Sequence, residues 1–335
     1  MKKQFVISCF ALLTSLNIFA QNTNNVFEIA LPEVKIKNSL YHTLNVLDSR
    51  LDTTHFGIVQ LGAFNRKTEV KISTPIEAQL QKAFHHQLDS AAQNGKLLFQ
   101  IRQFYFAEIT SAFSEKGYCY LKADLYTNNN GNYKRLARID TVAIVSAMDV
   151  TKLLMRQSSK LITDFIAISA TQKPVDGESY TFADIMKIDD IEKSKIKLYT
   201  TDNLVDGVYQ TYSDFKLQQP NSNDFTVSKH QEPKVFIEKE GKKQQLKPKE
   251  IYAFVKEGKA YIATEYGYYP LTKRDNNFYF NGKIKVTADN ASVMSASLFF
   301  GLIGGLIASM PNAQTSELKI DHQTGEFIRE KTTAK

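Results

Sequence analysis

The sequence predicts an α+β fold: an N-terminal antiparallel sheet with two packed helices, followed by a β-rich, meander-like C-terminal domain. Three observations predict it. Residues 76–91 and 150–168 show helical apolar periodicity. Between these two segments lie alternating runs separated by an Asn- and Gly-rich turn. From Ile196 onward the chain is aromatic and breaks into short runs at Glu-Gly, Asp-Asn and Asn-Gly pairs.

The first twenty-one residues set the compartment. Lys2 and Lys3 form a basic start, residues 5–20 are mostly apolar, and Ile18-Phe19-Ala20 precedes Gln21. This is the layout of a secretory signal peptide, so residues 1–20 are expected to be removed. Val6-Ile7-Ser8-Cys9 has the look of a lipobox, but the apolar run before Cys9 is only Phe5 to Ile7. Cleavage after Ala20 therefore fits better, and the chain is expected in the periplasm, at the outer membrane or outside the cell. Losing Lys2 and Lys3 leaves 40 basic against 35 acidic residues, a net charge of +5. These charges are interspersed, which argues for solubility and against a nucleic-acid partner. The length suits two domains: residues 21–170, a connector over 171–200, and a β-rich domain over 201–335.

In the first domain, strands are expected over 27–36, 57–61 and 70–72. Thr74-Pro75-Ile76-Glu77 reads as a capping box, with Thr74 as N-cap and Glu77 reaching back. Ile76, Leu80, Ala83, Phe84, Leu88 and Ala91 form the apolar face of the helix, and Asn94-Gly95 ends it. Strands follow over 97–109, 118–126 and 135–145, the last two joined by a turn in Asn128-Asn-Asn-Gly-Asn132. Asp149 is placed to cap the second helix, with Val150, Leu153, Leu154, Leu161, Phe165 and Ile168 facing inward. The connector holds a short helix over 182–192. The second domain is read as a strand and short helix over 206–216, a meander over 235–286 and a hairpin over 318–328.

Residues 57–168, with Gly57-Ile-Val-Gln-Leu-Gly62, the capped helix, the Asn-rich hairpin and Asp149-Val-Thr151, resemble periplasmic auxiliary lipoproteins of envelope transport systems. The whole arrangement resembles secreted Gram-negative envelope proteins of unknown function. The resemblance implies a mostly non-enzymatic role. The lipid-modified cysteine of those relatives has no counterpart here, which speaks against tethering by that route.

A second apolar stretch lies between Asp289 and Glu317, where no residue is charged. Its core includes Leu298, Phe299, Phe300, Gly301, Gly305 and Leu306, and small residues recur every four positions from Ser297 to Ser309. As a helix, residues 293–310 would extend about 27 Å, near the minimum for a bilayer. The strongly apolar core is shorter than that, so the segment is expected to be an insertion packed on its own domain. Membrane insertion or oligomerisation through 293–310 is the alternative.

Little in the sequence points to catalysis. His85 and His86 are adjacent in a helix and diverge by about 100°. Asp189, Asp190 and Glu192 lack calcium-loop spacing. The single cysteine of the mature chain, Cys119, lies in an alternating strand. Catalytic residues are unknown from sequence, and neither cofactor nor metal is expected. Tyr261, Tyr266, Tyr268 and Tyr279 form a candidate aromatic face for a glycan, peptide or lipid. The functional expectation is an exported, non-catalytic envelope protein that binds or scaffolds an envelope protein, glycan or lipid. A secreted hydrolase with a dispersed site is a further alternative.

Overall fold

The computed structural model describes residues 25–50, 52–62, 64–110, 115–147, 150–175, 177–228, 233–239, 241–284 and 315–328. The segment read as a signal peptide, Cys9, the expected cap at Asp149 and residues 293–310 with Leu298, Phe299, Phe300, Gly301, Gly305 and Leu306 lie outside the described residues.

The N-terminal half contains β1 (Val26–Phe27), β2 (Tyr41–Asp48), β3 (Gly57–Leu61), β4 (Arg66–Glu69), β5 (Lys71–Ile72), α1 (Ile76–Gln87), β6 (Gly95–Thr110), β7 (Glu115–Asn129), β8 (Asn132–Ser146), α2 (Val150–Ser169) and β9 (Ser179–Tyr180). Its seven-stranded sheet runs β4-β3-β6-β7-β8-β9, with β2 paired to β6. The α+β class is as expected, but the sheet is mixed. β2 and β3 run parallel to β6, while the long β6-β7-β8 meander is antiparallel. Asn130 and Gly131, both at positive φ, form the β7–β8 turn.

α1 and α2 cover one face of this sheet. Leu80 and Phe84 of α1, Leu154 and Ile162 of α2, and Leu97, Phe99, Cys119 and Leu121 of the sheet share one core. Gly117 lets α2 approach closely: a Cβ there would sit 2.6 Å from Val150 Cγ1.

Several local expectations are corrected. The strand expected over 27–36 is only Val26–Phe27 plus an isolated bridge between Ile36 and Leu88. That bridge extends the chain at Leu88, so α1 stops at Gln87 rather than Ala91. β2 went unread because its residues, Tyr-His-Thr-Leu-Asn-Val-Leu-Asp, are only partly buried and mixed in polarity. The capping box at Thr74 is absent. Pro75 occupies the cap position with no side-chain bond, and Gln79 ties the entry instead. Its Nε2 donates to the Thr74 carbonyl and its Oε1 accepts from Ile29 N–H, each at 2.7 Å. In α2 the buried stripe is rotated from the expected one. Thr151, Ser158, Ser159 and Thr163 are buried, and Ile168 is exposed. Ser159 earns its place by accepting a bond from Ala30 N–H at 2.8 Å.

The connector holds α3 (Phe182–Met186), α4 (Ile188–Lys193) and α5 (Lys197–Thr200). It packs on the sheet face opposite α1 and α2, where Leu98 and Tyr126 meet Tyr180, Ile185 and Ile188.

The C-terminal half adds β10 (Gly207–Tyr209), α6 (Tyr212–Leu217), β11 (Phe225–Val227), β12 (Val235–Lys239), β13 (Lys242–Leu246), β14 (Ala253–Lys256), β15 (Lys259–Thr264), β16 (Gly267–Pro270), β17 (Thr272–Arg274), β18 (Asn277–Gly282), β19 (Ser316–Ile320) and β20 (Phe327–Ile328). They form three antiparallel sheets: β10-β14-β15-β16, β11-β12-β13 and β17-β18-β19-β20. Two of them share a core around Tyr209, Phe215, Ile262, Phe280 and Leu318. The turns at Glu257-Gly258 and Asp275-Asn276 take positive φ, which Gly258, Asp275 and Asn276 tolerate well. Asn281-Gly282 is not a turn; both residues pair with β19.

Candidate functional site

Among the described residues, a dense convergence of ionisable side chains lies where the N-terminal sheet, the connector and the β19–β20 turn meet. Arg102 comes from β6, Lys122 and Asp124 from β7, and Arg135, Arg138 and Asp140 from β8. Asp189 and Glu192 come from α4, and Asp321, His322 and Gln323 follow β19.

Two β-bulges assemble the arginines. Arg102 is the extra residue between the pairs Ile101–Ala123 and Gln103–Lys122. In β8, Leu136 is skipped between Arg135 and Ala137. Arg135 and Arg138 are three apart, so in a regular strand they would point to opposite faces. The bulge brings both onto the connector side.

Asp124 and Glu192 are the anionic centres. Asp124 accepts from Arg102 Nη1 at 3.0 Å and from Arg138 Nε at 2.7 Å. Arg135 Nε lies 3.0 Å from it. Glu192 Oε1 accepts from Arg102 Nη1 (3.2 Å), Arg135 Nη2 (3.0 Å) and Arg138 Nη2. Its Oε2 accepts from Arg102 Nη2 at 2.8 Å and from Gln323 Nε2, and lies 2.9 Å from His322 Nε2. Burial alone would raise the Glu192 carboxyl; the His322 bond and the arginines outweigh it and hold it far below the usual carboxylate range.

Beside this cluster, Lys122 Nζ donates to Asp321 Oδ2 at 2.9 Å and lies 3.4 Å from Asp140. Asp321 Oδ1 accepts from the Gln323 and Thr324 N–H groups at 2.8 and 3.0 Å. Burial opposes its charge, yet Lys122, His322 and these bonds keep it well below the ordinary Asp range. The Tyr212 hydroxyl donates to the His322 carbonyl at 2.8 Å, which holds the turn on the C-terminal core.

Asp189, Glu192 and His322 offer ligand atoms within 4.8 Å of one another. The set does not suit a metal ion. Glu192 is already shared among three guanidinium groups, and Arg102 pairs with Asp189 as well. A cation placed there would face those positive charges at short range. Cys119 is buried in the other face of the sheet, and burial pushes its thiol up to about 12, so it is not an activated nucleophile.

The tyrosines proposed as one face are distributed. Tyr261 stacks on Phe254 with ring centroids 4.7 Å apart, and Tyr268 meets the same ring edge-on at 5.3 Å. Tyr266 lies in the β15–β16 turn. Tyr279 is on β18 in another sheet, with Arg274 4.2 Å above its ring. An open hollow of about 360 Å³ adjoins Tyr261, lined also by Thr201, Asp202, Leu204, Lys259 and Phe278.

The ion cluster was not read from sequence. One signal was present: Lys122 and Asp124 sit two apart in a strand whose residues 117–126 are all buried. Charges in such a strand require partners.

Residues 207–332 match the model of a family of unknown function (DUF6563). The match takes in Asp321, His322 and Gln323 and none of the N-terminal sheet. No curated protein matches the chain. Among solved structures, protein XCC0632 from Xanthomonas campestris, described as family-model DUF330, is similar with 11% identity and a TM-score of 0.29, over 43% of this chain and 95% of that one. The class defined so far is an α+β protein with a β-rich body. Its C-terminal part, residues 207–332, is similar to that family of unknown function.

Proposed function

We propose that the mature chain is an exported, non-catalytic protein of the cell envelope that binds or scaffolds a partner. One observation carries the non-catalytic part. The acids and bases that converge most closely neutralise one another across the junction of sheet, connector and C-terminal turn. A carboxyl that serves as general acid needs a pKa near its working pH, whereas Glu192 is held far below that range and already engaged by three guanidinium groups. Such a junction fixes the two halves of the chain against each other, which suits a rigid binding platform.

The test has two parts. Expressed with its own leader in a Gram-negative host, the protein should appear in the envelope fraction with Gln21 as its first residue. Met1 retained in a cytosolic protein would defeat the export reading. The purified protein should not turn over ester, peptide or glycoside substrates. Turnover that disappears in Glu192→Gln, with the fold intact, would overturn the non-catalytic reading.

A further inference from the structure

The hairpin joining β3 to β4 closes on the pair Leu61–Arg66. Gly62 and Asn65 take positive φ, 73° and 48°, and Asn65 N–H donates to the Gly62 carbonyl at 3.0 Å. The turn leaves Phe64 96% exposed, the most exposed large apolar side chain among the described residues. Arg66 and Lys67, just beyond it, are exposed too. Closing the turn requires Gly62 and Asn65, not a phenylalanine; a polar residue at 64 would serve the fold equally.

The hairpin is firmly seated. β3 pairs with β6 at Gly57–Phe106 and Ile58–Ala107. Gln60 N–H donates to Glu108 Oε2 at 2.7 Å. A Cβ at Gly57 would lie 1.9 Å from the Phe106 carbonyl oxygen, so this junction leaves no slack.

We propose that this tip contacts an anionic membrane surface, Phe64 entering the headgroup region while Arg66 and Lys67 meet lipid phosphates. A protein partner would need about 800 Å² of matching surface around its anchor. Behind Phe64, β4 exposes Arg66, Lys67 and Glu69 instead of apolar surface. A convex turn with one aromatic ring and two adjacent cations has the chemistry of a bilayer interface.

The chain contains no tryptophan, so Phe64→Trp in the full mature protein is a unique fluorescent reporter. Its emission should shift to the blue with vesicles of phosphatidylglycerol and phosphatidylcholine, and stay unshifted with phosphatidylcholine alone. A tryptophan at Val175, which is 81% exposed elsewhere, should not shift with either. Flotation should show partitioning reduced about ten-fold by Phe64→Ala and about five-fold by each of Arg66→Gln and Lys67→Gln. Unshifted Phe64→Trp emission overturns the proposal, including the case where the protein floats through other residues. A shift caused only by an added protein overturns it as well. Added vesicles require no particular compartment, so this result is independent of the export reading.

Discussion

Glu192 concentrates more interactions than any other side chain of the junction, so the residue-scale predictions centre on it. Glu192→Gln removes the charge that separates three guanidinium groups and should cost about 3 kcal/mol in urea unfolding. The acid response has a definite sign. Glu192 and Asp321 both have depressed carboxyls in the folded chain. Their stabilisation is therefore complete above the unfolded carboxylate range, about pH 4, and is lost as pH falls further towards the folded values. Urea midpoints measured from pH 7 down to 3 should hold level and then drop. The drop should be shallower in Glu192→Gln; an identical acid limb in both proteins would show that Glu192 does not supply it.

At the scale of elements, α1 and α6 begin differently, and the difference is testable. Thr211 and Asp214 form a complete capping box on α6, so Thr211→Ala should destabilise by about 1 kcal/mol. Thr74 makes no such side-chain bond to α1, and Thr74→Ala should leave the urea midpoint unchanged. Gln79 does the tying there. Gln79→Ala leaves the Ile29 N–H without its partner and should cost about 1–3 kcal/mol. Equal midpoints for the Thr74 and Gln79 variants would contradict this assignment. β-Strand bulges are the other element-scale device. They add one residue to β6 and one to β8, and the added residues turn arginines towards the connector.

For the whole molecule, the Lys122–Asp321 pair bridges residues 199 apart, with both side chains nearly buried. Removing one partner strands a buried charge. Lys122→Met should cost about 3–5 kcal/mol, and Asp321→Asn in the same chain should recover part of it. Wild-type protein should melt in one transition by calorimetry, and Lys122→Met should separate two. A single unshifted transition in the variant would mean that the halves are held together elsewhere. No helix among the described residues is long and apolar enough to cross a membrane. The proposed bilayer contact is a surface one, made by a hairpin tip.

Local chemistry made much of this fold legible. Apolar periodicity located α1 and α2, and Asn130-Gly131 and Glu257-Gly258 located turns, because each depends on neighbours within a few residues. The class, α+β with a β-rich second half, followed from those elements alone. The junction was not legible, since it depends on contacts between different elements, 14 to 199 residues apart. Alternation puts Arg135 and Arg138 on opposite faces; only the bulge at Leu136, set by pairing with β7, puts them together. The rotated stripe of α2 has the same origin. Ser159 faces inward there because Ala30, 129 residues away, supplies its partner, and a partner so distant in sequence leaves no mark on the helix's own pattern. Sequence determines which segments can fold as helix, strand or turn, because those choices are local. Which charges become buried, and with what, is decided by tertiary packing, because a buried charge is tolerated only where the whole chain brings its counterpart.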